Sequence, residues 1–146
     1  YFVDTNILVY RHDPRDPRKQ SIATEFLRAE LARANALIAQ QCLVEFVAAT
    51  TRPLRDFGER PLLNPVDAAY EAEDLCRQFE VVYPKREQFV IALRGWRTYG
   101  LGWFDAHLWS FAEFYRIGIL YSEDFQHERE YGNVKVINPF LSRENP

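Results

Sequence analysis

Four acidic residues in this chain stand where acids are costly. Asp4 ends the apolar stub Tyr1-Phe2-Val3, and Glu45 lies within Leu43-Val44-Glu45-Phe46. Asp105 lies within Trp103-Phe104-Asp105-Ala106, and Asp124 closes Leu120-Tyr121-Ser122-Glu123-Asp124 before Phe125. Burying a carboxylate among large apolar neighbours is unfavourable unless something pairs with it. Four such groups, at strand ends and helix starts, imply one cluster held together by a divalent cation. An all-oxygen donor set suits Mg²⁺ or Mn²⁺ better than structural zinc, which takes cysteine and histidine ligands. One or two hard cations make a water nucleophilic and stabilise a leaving oxyanion, the two requirements of phosphodiester hydrolysis. Asn6 and Ser122 are small polar residues beside the cluster, suited to hydrogen-bonding a ligand carboxylate or a phosphate.

Each of these residues also has a plainer role open to it. Asp4 could bond loop amides at a strand end, Asp105 could be an N-cap, Asp124 could open a turn and Glu45 could be an exposed helix residue. Asn6 could cap a short helix after the first strand. Glu123 reads as a solvated neighbour that could stand in as a ligand. His12, His107 and His127 lack metal-ligand spacing and read as structural or exposed.

The elements needed to gather these acids follow from periodicity and breakers. After a first strand, Asp13-Pro14 and Asp16-Pro17 punctuate a loop, and Ile22, Ala23, Phe26, Leu27 and Leu31 predict a helix over 21–34. A short strand over 36–39 leads into a helix over 41–51, which Pro53 terminates. Asn64 or Asp67 caps a helix over 66–78. A strand over 80–83, a helix over 85–99, a helix over 105–115, a strand over 118–121 and a last strand over 134–137 complete the chain. Strands alternating with helices predict an α/β fold with a mostly parallel sheet covered on both faces. The functional crevice of such a sheet lies beyond the carboxyl ends of its strands, where all four acids would meet.

Composition narrows the alternatives. The chain has 146 residues, 47% of them hydrophobic and 27% charged, which fits a single domain over 1–146 with a core of its own. No apolar run is long enough to span a bilayer. Cys42 and Cys76 form neither a C-x-x-C pair nor a disulfide framework, so a reducing cytoplasm is expected. The net charge of −3 argues against coating nucleic acid by bulk charge. Neutralising the four acids leaves a slightly basic remainder, with clusters at Arg11, Arg15, Arg18 and Lys19, at Arg52, Arg55 and Arg60, and at Lys85, Arg86, Arg94 and Arg97. Such patches could hold phosphates near the acids or simply be solvated.

At these residues the chain resembles the PIN-domain ribonucleases, specifically the VapC-type toxins of bacterial toxin–antitoxin pairs. Val3-Asp4-Thr5-Asn6 is similar to the first signature of that family, and Gln41 to Phe46, running on to Thr51-Arg52, to its second. Phe104-Asp105-Ala106 with Ala112 resembles the third. Ile119 to His127, followed by Val136-Ile137-Asn138-Pro139-Phe140, resembles the fourth signature and closing strand. The resemblance implies a three-layer α/β/α fold, Mg²⁺ or Mn²⁺ at the acidic pit, endonucleolytic RNA cleavage, homodimerisation and silencing by a cognate antitoxin. In two places the chain departs from the pattern. Ala39 and Gln40 replace the small hydroxyl residues often found before the acidic helix, removing an expected bond to Glu45. Glu128 stands where relatives often carry Gly, which would alter the loop after Asp124 or add negative charge.

Two other classes compete with a metal-dependent endoribonuclease. An aspartyl-nucleophile phosphatase would want a second carboxylate two residues after Asp4, and Asn6 is there instead. A binding module with a silent acidic pit would use the aromatic segment containing Trp96, Tyr99, Trp103, Phe104, Trp109, Phe111, Phe114 and Tyr115, most of which are expected in the core.

Overall fold

The computed structural model describes residues 1–141. The elements run β1 (Phe2–Val3), α1 (Thr5–Tyr10), α2 (Pro17–Arg33), β2 (Leu37–Ala39), α3 (Gln40–Thr51), α4 (Pro65–Gln78), β3 (Glu80–Val82), α5 (Arg86–Tyr99), α6 (Trp103–Phe114), β4 (Ile119–Tyr121), β5 (Glu130–Tyr131) and β6 (Val134–Ile137). A short 3₁₀ turn, Arg55–Phe57, lies between α3 and α4. The strands form one sheet in the order β3-β2-β1-β4-β6-β5 within a three-layer α/β/α arrangement. All neighbours pair in parallel except β5, which runs antiparallel to β6.

This order puts a topological switch point between β1 and β4. From β1 the chain builds outward through β2 and β3, then returns to lay β4 and β6 on the other side. Loops leaving the carboxyl ends of β1 and β4 diverge there and open a crevice. The register pairs Phe2 with Leu120 and Val3 with Tyr121, so the residues that follow, Asp4 and Ser122, emerge side by side.

Burial of both sheet faces explains why β1, β2 and β4 are short apolar runs, whereas β6 alternates along Val134–Ile137. Phe2, Val3, Ile38, Ala39, Leu120, Val134 and Val136 are all fully buried. Helices close over them with Ile7, Leu27, Phe46, Leu108, Trp109 and Phe111, each large side chain stabilising the fold by about 1.5–3 kcal/mol before chain entropy is counted. Among the described residues no helix is long and apolar enough to cross a membrane. Cys42 is buried, Cys76 is exposed and both are free.

Several boundaries differ from those expected. Helix α2 begins at Pro17, four residues before the expected start at Ser21, because Asp16 accepts a hydrogen bond from the Lys19 amide at 3.0 Å and Pro17 occupies the first helical position, where its missing N–H costs nothing. Asn64, rather than Asp67, caps α4, accepting from the Asp67 amide at 2.9 Å. Helix α6 starts at Trp103, so Gly102 holds the N-cap position and Asp105 lies inside the first turn. Strand β5 has no apolar run to announce it. It is held by the buried Trp109 indole, which donates to the Tyr131 carbonyl at 2.8 Å, and Trp109 reaches that place by packing against α5 at Gly95. A Cβ on Gly95 would come 2.1 Å from the Trp109 ring.

Candidate active site

Asp4, Glu45, Asp105 and Asp124 line one cavity of about 470 Å³ together with Thr5, Asn6, Tyr10, Arg15, Gln41, Arg52 and Phe104. Each comes from a different element. Asp4 follows β1, Asp124 lies in the turn after β4, Glu45 is on α3, which leaves the end of β2 directly, and Asp105 is in the first turn of α6. Parallel strands with their return helices bring all four to the carboxyl edge of the sheet. Among the described residues none of the four forms an ion pair with a basic side chain.

The acids are held by hydrogen bonds from neutral groups. Ser122, itself fully buried, donates its hydroxyl to Asp4 Oδ2 at 2.5 Å and accepts from the Asp124 amide at 3.1 Å. Asn6 donates from Nδ2 to Asp4 Oδ2 at 3.2 Å and to Asp124 Oδ2 at 3.0 Å. Asn6 thus lies inside α1 and bridges two of the acids, and the helix-capping role open to it in the sequence is not the one it takes. Glu45 is gripped from both sides, by the Thr5 hydroxyl at Oε2, 3.0 Å away, and by the Gln41 amide nitrogen at Oε1, 2.5 Å away. These two donors replace the bond that Ala39 and Gln40 cannot make. Asp105 makes no capping bond, and its carboxylate sits over Gly102, where a Cβ would come within 3.1 Å of Oδ2.

The electrostatics are those of crowded, partly desolvated anions. Burial, followed by the charges of Asp124, Asp105 and Glu45, pushes the Asp4 carboxyl up to about 7, against the opposing pull of the Ser122 hydrogen bond. Asp105 is pushed up to about 6 by burial and then by Asp124 and Glu45. Burial is the larger cause at both Asp4 and Asp105, with the neighbouring acids adding to it. Their all-oxygen chemistry fits a hard divalent cation, and the buried Asn6 Oδ1 beside them has no hydrogen-bond partner. As placed, however, no three His, Cys, Asp or Glu side chains among the described residues come close enough to hold a metal ion. The donors are collected around one cavity without being drawn into a coordination shell.

The remaining candidates separate cleanly. Glu123 is turned away from the acids, bonded to the Tyr10 hydroxyl at 2.5 Å and to Lys19 at 2.6 Å. Of the basic clusters only Arg15 and Arg52 line the cavity. Arg15 is engaged by Asp13 at 2.7 Å and Asp56 at 2.6 Å, whereas the exposed Arg52 has no ion pair among the described residues. Glu128 adopts a left-handed backbone, with φ of 61°, and donates its amide to Val136 at 2.8 Å. It therefore takes up the conformation a glycine would supply and does not line the cavity. His12 pairs with Glu71 at 3.5 Å, and His127 Nδ1 accepts from the Asn138 amide at 3.0 Å. Thr5, Gln41 and His107, by contrast, belong to the site's support and were not marked by any spacing in the sequence. Thr5 and Gln41 fall inside the segments that resemble family signatures, and His107 lies two residues past Asp105, but nothing there marks their roles.

Comparison with known proteins agrees with this architecture. A toxin–antitoxin complex from Klebsiella pneumoniae contains a chain with TM-score 0.63 and 16% identity, over 94% of this chain and 96% of that one. VapBC2 from Rickettsia felis, bound to a DNA fragment from its promoter, gives TM-score 0.64 and 13% identity, over 93% and 96%. FitAcB from Neisseria gonorrhoeae gives 0.61 and 15%, over 95% and 97%. Among curated proteins none matches the sequence. The family model described as PIN domain matches residues 1–132, and the chain belongs to the PIN domain family.

Proposed function

We propose that this chain is a metal-dependent endoribonuclease of the VapC toxin type, hydrolysing RNA phosphodiester bonds at the pit formed by Asp4, Glu45, Asp105 and Asp124. The observation that carries the reading is the convergence of four sequence-distant carboxylates, none ion-paired with a basic side chain among the described residues, on one cavity at the switch point of a mostly parallel sheet. Residues 1–146 are read as one nuclease domain. Its similarity to chains from toxin–antitoxin complexes supports a cognate antitoxin as partner, and family membership supports homodimerisation and action in the cytoplasm.

In this reading Asp4, Asp105 and Asp124 hold Mg²⁺ or Mn²⁺, and Glu45 completes the set. A bound divalent cation supplies an activated water and stabilisation of the leaving oxygen. Asn6 donates to oxygens of both Asp4 and Asp124, and Ser122 donates to Asp4 while accepting the Asp124 amide, which holds the two carboxylates in orientation. Thr5 and Gln41 hold Glu45 so that it orients the attacking water. Arg52, at the cavity wall and without an ion pair among the described residues, binds a substrate phosphate. The test is incubation of the pure protein with structured RNA and Mg²⁺ or Mn²⁺. Cleavage that needs the cation and disappears in Asp4→Asn is expected; cleavage without cation, or full activity in Asp4→Asn, would exclude the reading.

A second reading, a binding module with a silent pit, draws on the spread of the carboxylates and on the exposed apolar residues Val44, Phe89, Trp96 and Phe104. Trp109 and Phe111 from the same aromatic segment are buried. Absence of cleavage in that assay, with Mn²⁺ binding also absent by calorimetry, would favour it.

A further inference from the structure

Gln41 lies in the first turn of α3 and is only 8% exposed. Its amide nitrogen donates to Glu45 Oε1 at 2.5 Å, one helical turn on, and to the Phe104 carbonyl at 3.0 Å. Both partners accept only, so the amide cannot be turned over. Its oxygen must therefore be the atom that meets His107 Nδ1, at 2.5 Å. An amide oxygen has no proton to give, and Nδ1 of His107 is thereby fixed as the donor. The imidazole is in turn wedged among Phe89, Trp103 and Phe111, with ring centroids 6.2, 6.0 and 5.3 Å away.

We propose that His107 is a positioning residue, which through Gln41 aims the Glu45 carboxylate into the cavity. The strut runs from α6 across to α3, so the helix that carries Asp105 also sets the direction of Glu45. A glutamate has three side-chain torsions, and Glu45 is only partly buried, so hydrogen bonds must hold it where packing does not. Thr5 supplies one of them and the Gln41–His107 pair the other. This inference rests on the nuclease reading for its consequence, but the strut itself is a property of the metal-free chain.

Two variants separate positioning from packing. His107→Asn keeps an N–H close to the place of Nδ1 but fits the aromatic surroundings poorly. His107→Phe fits those surroundings and has no donor. On structured RNA with Mg²⁺, His107→Asn is expected to keep kcat within about threefold of wild type. His107→Phe is expected to lose roughly tenfold or more in kcat with little change in KM, as misaimed catalytic groups do. The reverse order, or equal effects of the two changes, would overturn the proposal. Nitrogen-15 NMR of the metal-free protein provides a readout that does not depend on catalysis. His107 is expected as the Nδ1–H tautomer in wild type and to revert to Nε2–H in Gln41→Leu, whereas Nε2–H in wild type, or no change in Gln41→Leu, would refute the strut. If wild type cleaves no RNA, the nuclease reading fails while the NMR result still decides the strut.

Discussion

The most quantitative consequence of the site concerns Asp4→Asn in the absence of divalent cations. Asp4 is 4% exposed, and its carboxyl is pushed from an ordinary 3.8 up to about 7. A carboxyl whose folded-state value is raised makes the native state the stronger proton binder, so stability falls as pH rises from about 4 to about 7. Integrating over that window, ionised Asp4 destabilises the native state by about 4 kcal/mol at pH 8 but only about half a kcal/mol at pH 4. Asparagine has nearly the same shape, and its Oδ1 can accept from both the Ser122 hydroxyl and Asn6 Nδ2, the two donors now on Asp4 Oδ2. The substitution therefore removes the charge and keeps the hydrogen bonds. Urea unfolding of wild type and variant with chelator present, at both pH values, measures the double difference. A variant more stable than wild type by about 2–4 kcal/mol at pH 8, with the gain nearly gone at pH 4, is the expected result. A variant less stable at pH 8, or a gain independent of pH, would rule out a destabilising charge at Asp4. The same change is expected to abolish nuclease activity, so stability and function would move in opposite directions, as they do where a site holds repelling charges.

Other perturbations test separate parts of the structure. Gly95→Ala places a methyl into the Trp109 ring and is expected to destabilise by about 2 kcal/mol in chemical denaturation despite alanine's better helix propensity; an unchanged midpoint would contradict the close approach of α5 and α6. Glu128→Gly relieves a left-handed residue and should stabilise by roughly 0.5–1 kcal/mol, visible as a higher melting temperature. Arg52→Ala should raise KM for RNA by roughly tenfold, the loss of one charged hydrogen bond to phosphate, and flatten the salt dependence of binding, while leaving kcat within a few-fold. A loss confined to kcat would place Arg52 elsewhere in the mechanism.

The acids and the elements that carry them could be read from the residues because both signals are local. A carboxylate between large apolar neighbours is conspicuous in any window, and strands and helices differ in the spacing of their apolar residues. A mostly parallel sheet also followed, since strands alternating with helices leave few topologies, whereas the order of its strands did not. The support of the site is not local. Thr5 and Glu45 are 40 residues apart, and His107 and Gln41 are 66 apart. Thr5 reads as an ordinary start to α1, and Gln41 as an ordinary early residue of α3. Their bonds exist only once α1, α3 and α6 are packed. The same holds for β5, which depends on Trp109 reaching Tyr131 over the bare backbone of Gly95. Asp105 illustrates an intermediate case: a helix start was expected at an acid, but Gly102 stops the chain earlier, and the acid is left inside the first turn, free to face the cavity.

Whether these carboxylates form the cradle of a hard cation decides the reading of the site. Anomalous diffraction at the manganese edge, from crystals grown in millimolar Mn²⁺, addresses it without reference to any substrate. A peak among the oxygens of Asp4, Asp105 and Asp124 that vanishes in Asp105→Asn is the expected result. A cavity without manganese at that concentration, or metal bound only at another surface, would contradict it.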